Sequence, residues 1–287
     1  MRDAAMTRLR PTDPSQLSIN TATLWESGLR EVAEGLCRHG IRGIAPWRDR
    51  VAQVGIAQAR RILDDCGLSV TGLCRGGMFP AAGAGERQLA IDDSLRAIDE
   101  AAALGAKCLV MVCGGLPEGS RDLPAARQMV RDGLGATLGH ARSCRVPIAI
   151  EPLHPMTTAE RSCINTLCQA LDLCDELDPD AAGAIGVAID AYHVWWDPDL
   201  QTQVERAGKL RLLAFHICDW LRPTTDLALD RGMMGDGVID LPRLRSCMEA
   251  AGYDGMHEVE IFSKHNWWKR PVDEVLAVCK SRHREVC

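Results

Sequence analysis

The sequence predicts a single α/β domain of the (β/α)8, or TIM, barrel class, and three observations carry that expectation. Eight short apolar or β-branched runs recur along the 287 residues, amphipathic segments separate them, and the last four runs each carry an ionisable residue at or one before their end: Glu151, Asp190, His216 and Glu260. Strands alternating with helices make a parallel sheet, and eight such units suit a closed barrel better than an open doubly wound sheet. The nucleotide fingerprint expected of an open sheet, GxGxxG after the first strand, is absent, and "CGGLPEG" after the fourth does not match it.

The expected strands are LSINT (17–21), GIRGIAP (40–46), SVTGL (69–73), CLVMV (108–112), PIAIE (147–151), GVAID (186–190), LLAFH (212–216) and HEVEI (257–261). After the first, Leu29, Val32, Ala33, Leu36 and Cys37 follow the spacing of one helix face, and Gly40 supplies a stop. Leu95, Ile98 and Ala102 lead in the same way to Gly105. Before the last strand, Asp240 precedes "LPRLRSCMEAAG", a cap, an early proline and a closing glycine around one more helix. A chain of this length can form one large core, so residues 1–287 are expected as one barrel, with 1–16 a loosely ordered N-terminal extension.

Composition narrows the classes of function. Hydrophobic residues make up 46% and charged residues 25%, and the formal net charge is −6 with both signs interspersed. That leaves no basic stripe for nucleic-acid phosphates, so no nucleic-acid partner is expected. The first residues, "MRDAAMTRLRPTDPSQ", hold no apolar leader. No stretch approaches the roughly 18 consecutive apolar residues of a membrane span, so no membrane partner is expected and a cytoplasmic location is. The thirteen cysteines are an odd number and include no CxxC pair. Most of them, such as Cys37, Cys66, Cys108, Cys144 and Cys247, sit inside apolar patterns, which favours reduced thiols acting as small hydrophobes over disulfides or thiolate-bound zinc.

Catalytic residues of such barrels come from the C-terminal ends of several strands. The endings "IAIE", "VAID", "LAFH" and "EVE" would therefore bring Glu151, Asp190, His216 and Glu260 to one rim. Three ionised carboxylates at an apolar edge repel one another and are costly unless a cation is bound. Three oxygen ligands and one imidazole suit Mn²⁺, Mg²⁺, Co²⁺ or Zn²⁺. Each residue also has a plainer reading: Asp190 as a cap on the next turn, Glu151 paired with Arg75 or Arg222, His216 as a core histidine, and Glu260 facing solvent. Four such endings on four consecutive strands favour the metal site.

The motifs "IEPLHP", "DAYHVWW", "FHICDWLRP" and "GYDGMHEVEIF" make the chain resemble the xylose isomerase-like superfamily, in particular the sugar phosphate isomerase/epimerase group with the ketose 3-epimerases and inosose dehydratases. The resemblance runs from "SINT" to "EVEIFS". It implies one divalent ion, Mn²⁺ foremost, held by Glu151, Asp190, His216 and Glu260. Glu258 is a rival for the last position, but the family's Glu lies just before an aromatic-containing loop, as Glu260 does. The family's DxxH pattern falls on Asp190 and His193 and its HxxxxxR pattern on His216 and Arg222, which implies that His193 and Arg222 contact substrate. A homodimer or homotetramer is also implied.

Departures from neighbouring families matter. Xylose isomerases carry a Lys two residues after the first Glu, where this chain has Leu153, and a second-metal Asp pair that "HICDW" lacks. AP endonucleases add histidines at places that here read "CRGG", "CGG" and "DRG" (Asp230, Arg231, Gly232). Both a two-metal hydride shift and a three-zinc hydrolase are thereby disfavoured.

The expected activity is a metal-dependent isomerase or epimerase of a small sugar, cyclitol or sugar phosphate, with Glu151 and Glu260 moving a proton through a metal-stabilised enediolate. An inosose dehydratase-type lyase is the alternative, and a catalytically silent sugar-binding barrel would need no metal. His154 and Arg75 are further candidates for substrate contact. All seven tryptophans follow a strand, and Trp47 and Trp195 are those singled out for a sugar face. The glycine-rich stretch 232–240, "GMMGDGVID", suits a turn before the eighth helix better than a phosphate cradle.

Overall fold

The computed structural model describes residues 12–287. Its first half contains β1 (Leu17–Asn20), α1 (Leu29–His39), β2 (Gly43–Ala45), α2 (Arg48–Val54), α3 (Ile56–Asp65), β3 (Ser69–Val70), β4 (Leu73–Gly77), α4 (Ala84–Leu104), β5 (Leu109–Val112) and α5 (Leu123–Cys144). There follow β6 (Ile148–Ile150), α6 (Leu167–Leu177), β7 (Ile185–Asp190), α7 (Ala191–Val194), α8 (Leu200–Arg211) and β8 (Leu212–Ile217). The chain closes with β9 (Asp219–Trp220), β10 (Arg231–Gly232), α9 (Leu241–Ala250), β11 (His257–Val259) and α10 (Val272–Val286).

Nine strands form one parallel sheet in the order β3-β2-β1-β11-β8-β7-β6-β5-β4. The third expected strand is split at Thr71 and Gly72: β2 pairs with its first half, β3, and β5 with its second half, β4. Across the split, Thr71 N donates to Ile44 O at 2.9 Å and Cys74 N to Pro46 O at 3.1 Å, which joins the two ends of the sheet into a TIM barrel. The second half runs on to Gly77, beyond the expected end at residue 73. In the loop after β8, β9 and β10 form a separate antiparallel pair.

Period-two alternation sorts the strand residues. Ile148 and Ile150, Ile185, Val187 and Ile189, and Phe215 and Ile217 belong to the main core between sheet and helices. Their neighbours Ala149, Ala188 and Ala214 join Cys74, Cys108 and Val110 in a second cluster inside the barrel, against which Trp47 and Leu213 pack. Each aliphatic side chain sealed under a helix contributes roughly 1.5–3 kcal/mol over leaving it exposed. The helix stops lie where the sequence puts them: Gly40 and Gly105 both end helices in the left-handed region, each with φ of 67°. Asp240 caps α9 by accepting from Arg243 N at 3.1 Å.

Of the expected N-terminal extension, residues 1–11 lie outside the described residues, whereas 12–16 are tied down. Thr12 is buried, its hydroxyl donating to His283 O at 2.8 Å, and Asp13 caps a short 3-10 turn at Pro14–Gln16. All thirteen thiols are free. Cys108 is buried and Cys66, Cys144 and Cys247 are half-buried, but Cys37 is exposed, on the outer edge of the face α1 turns to the barrel. Among the described residues no helix is long and apolar enough to cross a membrane.

Candidate metal and catalytic centre

The alternation that puts Ala149, Ala188 and Ala214 inside the barrel also points the residue two further on inward, and those residues are Glu151, Asp190 and His216. On β11 the same step runs from Glu258 to Glu260. The ladder continues past the strand ends, with Glu151 N donating to Met111 O at 3.1 Å and Glu260 N to Ile217 O at 3.2 Å. Glu151, Asp190, His216 and Glu260 are all buried, and each offers a ligand atom within 4.8 Å of the others. His216 Nδ1 lies 2.9 Å from Glu151 Oε1 and 3.9 Å from Glu260 Oε2.

The plainer readings fail for Glu260, which is buried, and for Glu151, which pairs with neither Arg75 nor Arg222, whereas His216 is a buried, hydrogen-bonded histidine and Asp190 does cap the next turn. Asp190 Oδ1 caps α7 by accepting from Tyr192 N at 2.8 Å, while Oδ2 faces the cluster. Glu258 lies one layer deeper than Glu260. It accepts from Asn20 Nδ2 at 2.8 Å and Thr71 Oγ1 at 2.9 Å, and its Oε1 stands 3.4 Å from His216 Nε2. Asn20 Nδ2 also donates to Glu260 Oε1 at 3.0 Å.

A buried arginine completes the centre. Arg231 Nη1 donates to Asp190 Oδ2 at 2.9 Å and Glu260 Oε2 at 3.2 Å, and its Nη2 lies 3.1 Å from His193 Nε2. The guanidinium carbon sits 4.5 Å from the Tyr192 ring centroid and 4.9 Å from that of Phe262, so two aromatic faces hold it in place. Arg222, the arginine expected at the substrate, is exposed instead. It lies in the loop between β9 and β10, and the chain reaches the centre only on the return strand, at Arg231.

Charge crowding shows in the proton affinities. Burial pushes Glu260 up to about 8, with Glu151 and Asp190 adding to the effect and Arg231 and His216 opposing it. For His216, burial opposes protonation, but Glu258, Glu151 and Glu260 outweigh it and hold the imidazole well above its ordinary value. Asp190 is lowered in spite of its burial, because Arg231, His193 and His216 surround it. Of the four buried carboxylates, Arg231 reaches only Asp190 and Glu260. A divalent cation answers that surplus, and three oxygens and an imidazole nitrogen form a donor set it would accept, so the residues fit a metal ion.

His193 is buried and its ring is driven down to about 4 by that burial, with the pull of Asp190 too weak to compensate. His154 N donates to its Nδ1 at 3.1 Å while Arg231 faces its Nε2. A neutral imidazole has one lone pair and satisfies only one of these donors. The His154 ring is half-buried, 4.9 Å from Trp220 and 5.8 Å from Trp196 between centroids. The rim aromatics form two groups: Trp25, Trp47, Trp268 and Phe262 on one side, and Tyr192, Trp195 and Trp220 on the other. Trp47 and Trp195 each keep a buried indole N–H without a partner. Arg75 stands half-buried on β4.

The loop 232–240 is a turn, as expected. Asp219 accepts from Gly235 N at 2.9 Å and Ile239 N at 3.0 Å, which occupies two amides a phosphate would need. Asp99, His140 and Cys144 form a second group of donors within 4.8 Å of one another, where α4 packs on α5 away from the strand ends.

A family model described as xylose isomerase-like TIM barrel matches residues 33–282. Protein SMc04130 from Sinorhizobium meliloti 1021 superposes with a TM-score of 0.93 at 59% identity, covering 96% of this chain and 99% of that one. The IOLI protein, solved with a zinc atom, superposes with a TM-score of 0.79 at 20% identity over 94% of this chain and 97% of that one, which is a likeness of fold. Inosose isomerase from Halalkalibacterium halodurans is 26% identical over 153 residues, 51% of this chain and 50% of that protein, so the match spans about half the length of the curated relative.

Proposed function

The chain belongs to the xylose isomerase-like TIM barrel family, and from that premise we propose that it is a divalent-metal-dependent isomerase or epimerase of a small sugar, cyclitol or sugar phosphate. The observation that carries the reading is the convergence of Glu151 and Glu260, from β6 and β11, with Asp190 and His216 in one buried cluster. The zinc atom of the IOLI structure and the inosose isomerase match support it.

Glu151, Asp190, His216 and Glu260 would hold the ion; when bound, it would polarise a substrate carbonyl and stabilise the negative charge developing on its oxygen. Glu151 and Glu260 carry the proton: one removes it from the carbon beside the carbonyl, and the same or the other returns it. Asn20 and Arg231 grip the two oxygens of Glu260 and fix its orientation. His193, neutral and facing Arg231, would contact a substrate oxygen, and the Trp47 and Trp195 indoles would pack against a sugar face. Mn²⁺ is the proposed ion, with Zn²⁺, Mg²⁺ and Co²⁺ as metals the same donors accept.

The test is incubation of the Mn²⁺-loaded protein in D₂O with a panel of ketoses, inososes and sugar phosphates. Deuterium is expected at the carbon next to the carbonyl of at least one of them. Exchange accompanied by loss of water would move the reaction to the lyase class, and no exchange on any member would overturn the proposal.

A further inference from the structure

Among the described residues, nearly every buried or half-buried arginine donates to a carboxylate or a carbonyl. Arg48 holds Asp93 and Glu100, Arg211 holds Asp178, and Arg231 holds Asp190 and Glu260. Arg75 and Arg161 are the exceptions: both are half-buried, and neither guanidinium enters a hydrogen bond or ion pair. Arg48 takes the carboxylates nearest Arg75, and donates to its backbone oxygen as well.

Backbone geometry sets the two residues on the same part of the rim. Arg75 is the extra residue of a bulge, since the register of β4 against β5 passes from Cys74↔Val110 to Gly76↔Met111. A bulge re-aims the side chain it inserts. Arg161 belongs to the segment that crosses the rim after β6, where Gly114 N donates to its oxygen at 3.0 Å. On the other side of Gly114 lies the end of β4, close enough that a Cβ on Gly114 would come within 3.0 Å of Met78 Cα. The charge of Arg161 is felt by Arg75 and by His193, both of which it makes harder to protonate after burial has already done so. Two half-buried arginines without an acceptor, one of them close enough for its charge to reach His193, offer the forked donors that bind an oxyanion.

We propose that Arg75 and Arg161 form the anion-binding end of the substrate site, so that the sugar or cyclitol carries a carboxylate or a phosphate. The inference rests on the proton-transfer reading for the rest of the substrate. Calorimetric titration of the metal-free full chain at low salt, with inorganic phosphate in one arm and acetate in the other, reads the anion site without turnover. One anion per chain is expected, its affinity falling about tenfold or more in Arg75→Met and in Arg161→Met. It should not change in Arg61→Met, an exposed arginine of α3. Tighter phosphate assigns a sugar phosphate, and tighter acetate a sugar acid. Arg75→Lys keeps the charge and serves as the folded comparison through its Tm.

The proposal is overturned if neither anion binds, or if folded Met variants bind as the wild type does. Deuterium exchange separates the two readings. Exchange of a sugar phosphate or sugar acid at the same rate in wild type and Arg75→Met removes the anion end and leaves proton transfer standing. Anion binding with no exchange on any substrate keeps the arginine pair and removes proton transfer.

Discussion

His216 and Glu258 are direct neighbours in register across β8 and β11, with His216 Nε2 3.4 Å from Glu258 Oε1. His216 Nδ1 faces the cluster, so the imidazole offers one nitrogen for a metal and keeps the other against a carboxylate. His216 Nε2 makes no hydrogen bond, but Glu258 stands at ion-pair distance on the side where metal-binding histidines ordinarily have the carboxylate that fixes the ring and raises its basicity. Glu258→Gln should therefore weaken Mn²⁺ binding by about 10–100-fold, measured by competition with a chelator. Unchanged affinity would show that Glu258 only fills the barrel.

Among the described residues Arg231 is the one arginine in contact with Asp190 and Glu260. Removing one partner of a buried ion pair costs about 3–5 kcal/mol, because the remaining charges are left unpaired. Arg231→Met should lower the Tm of the metal-free protein by several degrees, and saturating Mn²⁺ should recover much of the loss. Scanning calorimetry with and without metal checks this. An unchanged Tm in the metal-free variant would contradict it.

On the side of β11 that faces α10, His257 Nδ1 and His283 Nε2 lie 3.0 Å apart, both buried. Burial takes His257 down to about 3, with His283 and Arg245 adding to it, and takes His283 to about 4, with Arg245 adding and Asp13 opposing. Between those values and the ordinary histidine value near 6.5, the unfolded chain binds protons that the folded chain does not. Their contribution is thus fully present above about pH 6.5 and lost as pH falls towards 3–4, at up to about 1.4 kcal/mol per pH unit for each histidine. Urea unfolding at pH 7 and pH 5 should show the drop, and His283→Phe should shrink it. An equal slope in that variant would exclude the pair as its source.

Much of the barrel was legible because period-two runs and glycine stops are local signals. The same alternation made Glu151, Asp190, His216 and Glu260 visible, since each stands at a strand end, and on three of the four strands the inward residue before it is an alanine. Asn20 ends "LSIN" in the same way and could have been read from it, as the hydrogen bonds to Glu258 and Glu260 show. Arg231 could not. It sits in an irregular loop with no periodicity, and only the return of the chain through β10 brings it to the centre, whereas Arg222, on which the family's HxxxxxR pattern falls, stays exposed. Thr71 was hidden for a related reason: the break between β3 and β4 turns its hydroxyl to Glu258, and nothing in "SVTGL" marks that break.

The central claim is that Glu151 and Glu260 move the proton. The most direct measurement is deuterium incorporation from D₂O into a substrate the wild type exchanges, by Glu151→Gln and Glu260→Gln proteins whose folding and metal content have been verified. Loss of exchange in both is the predicted result. Wild-type exchange in either metal-loaded variant would contradict the assignment of that residue.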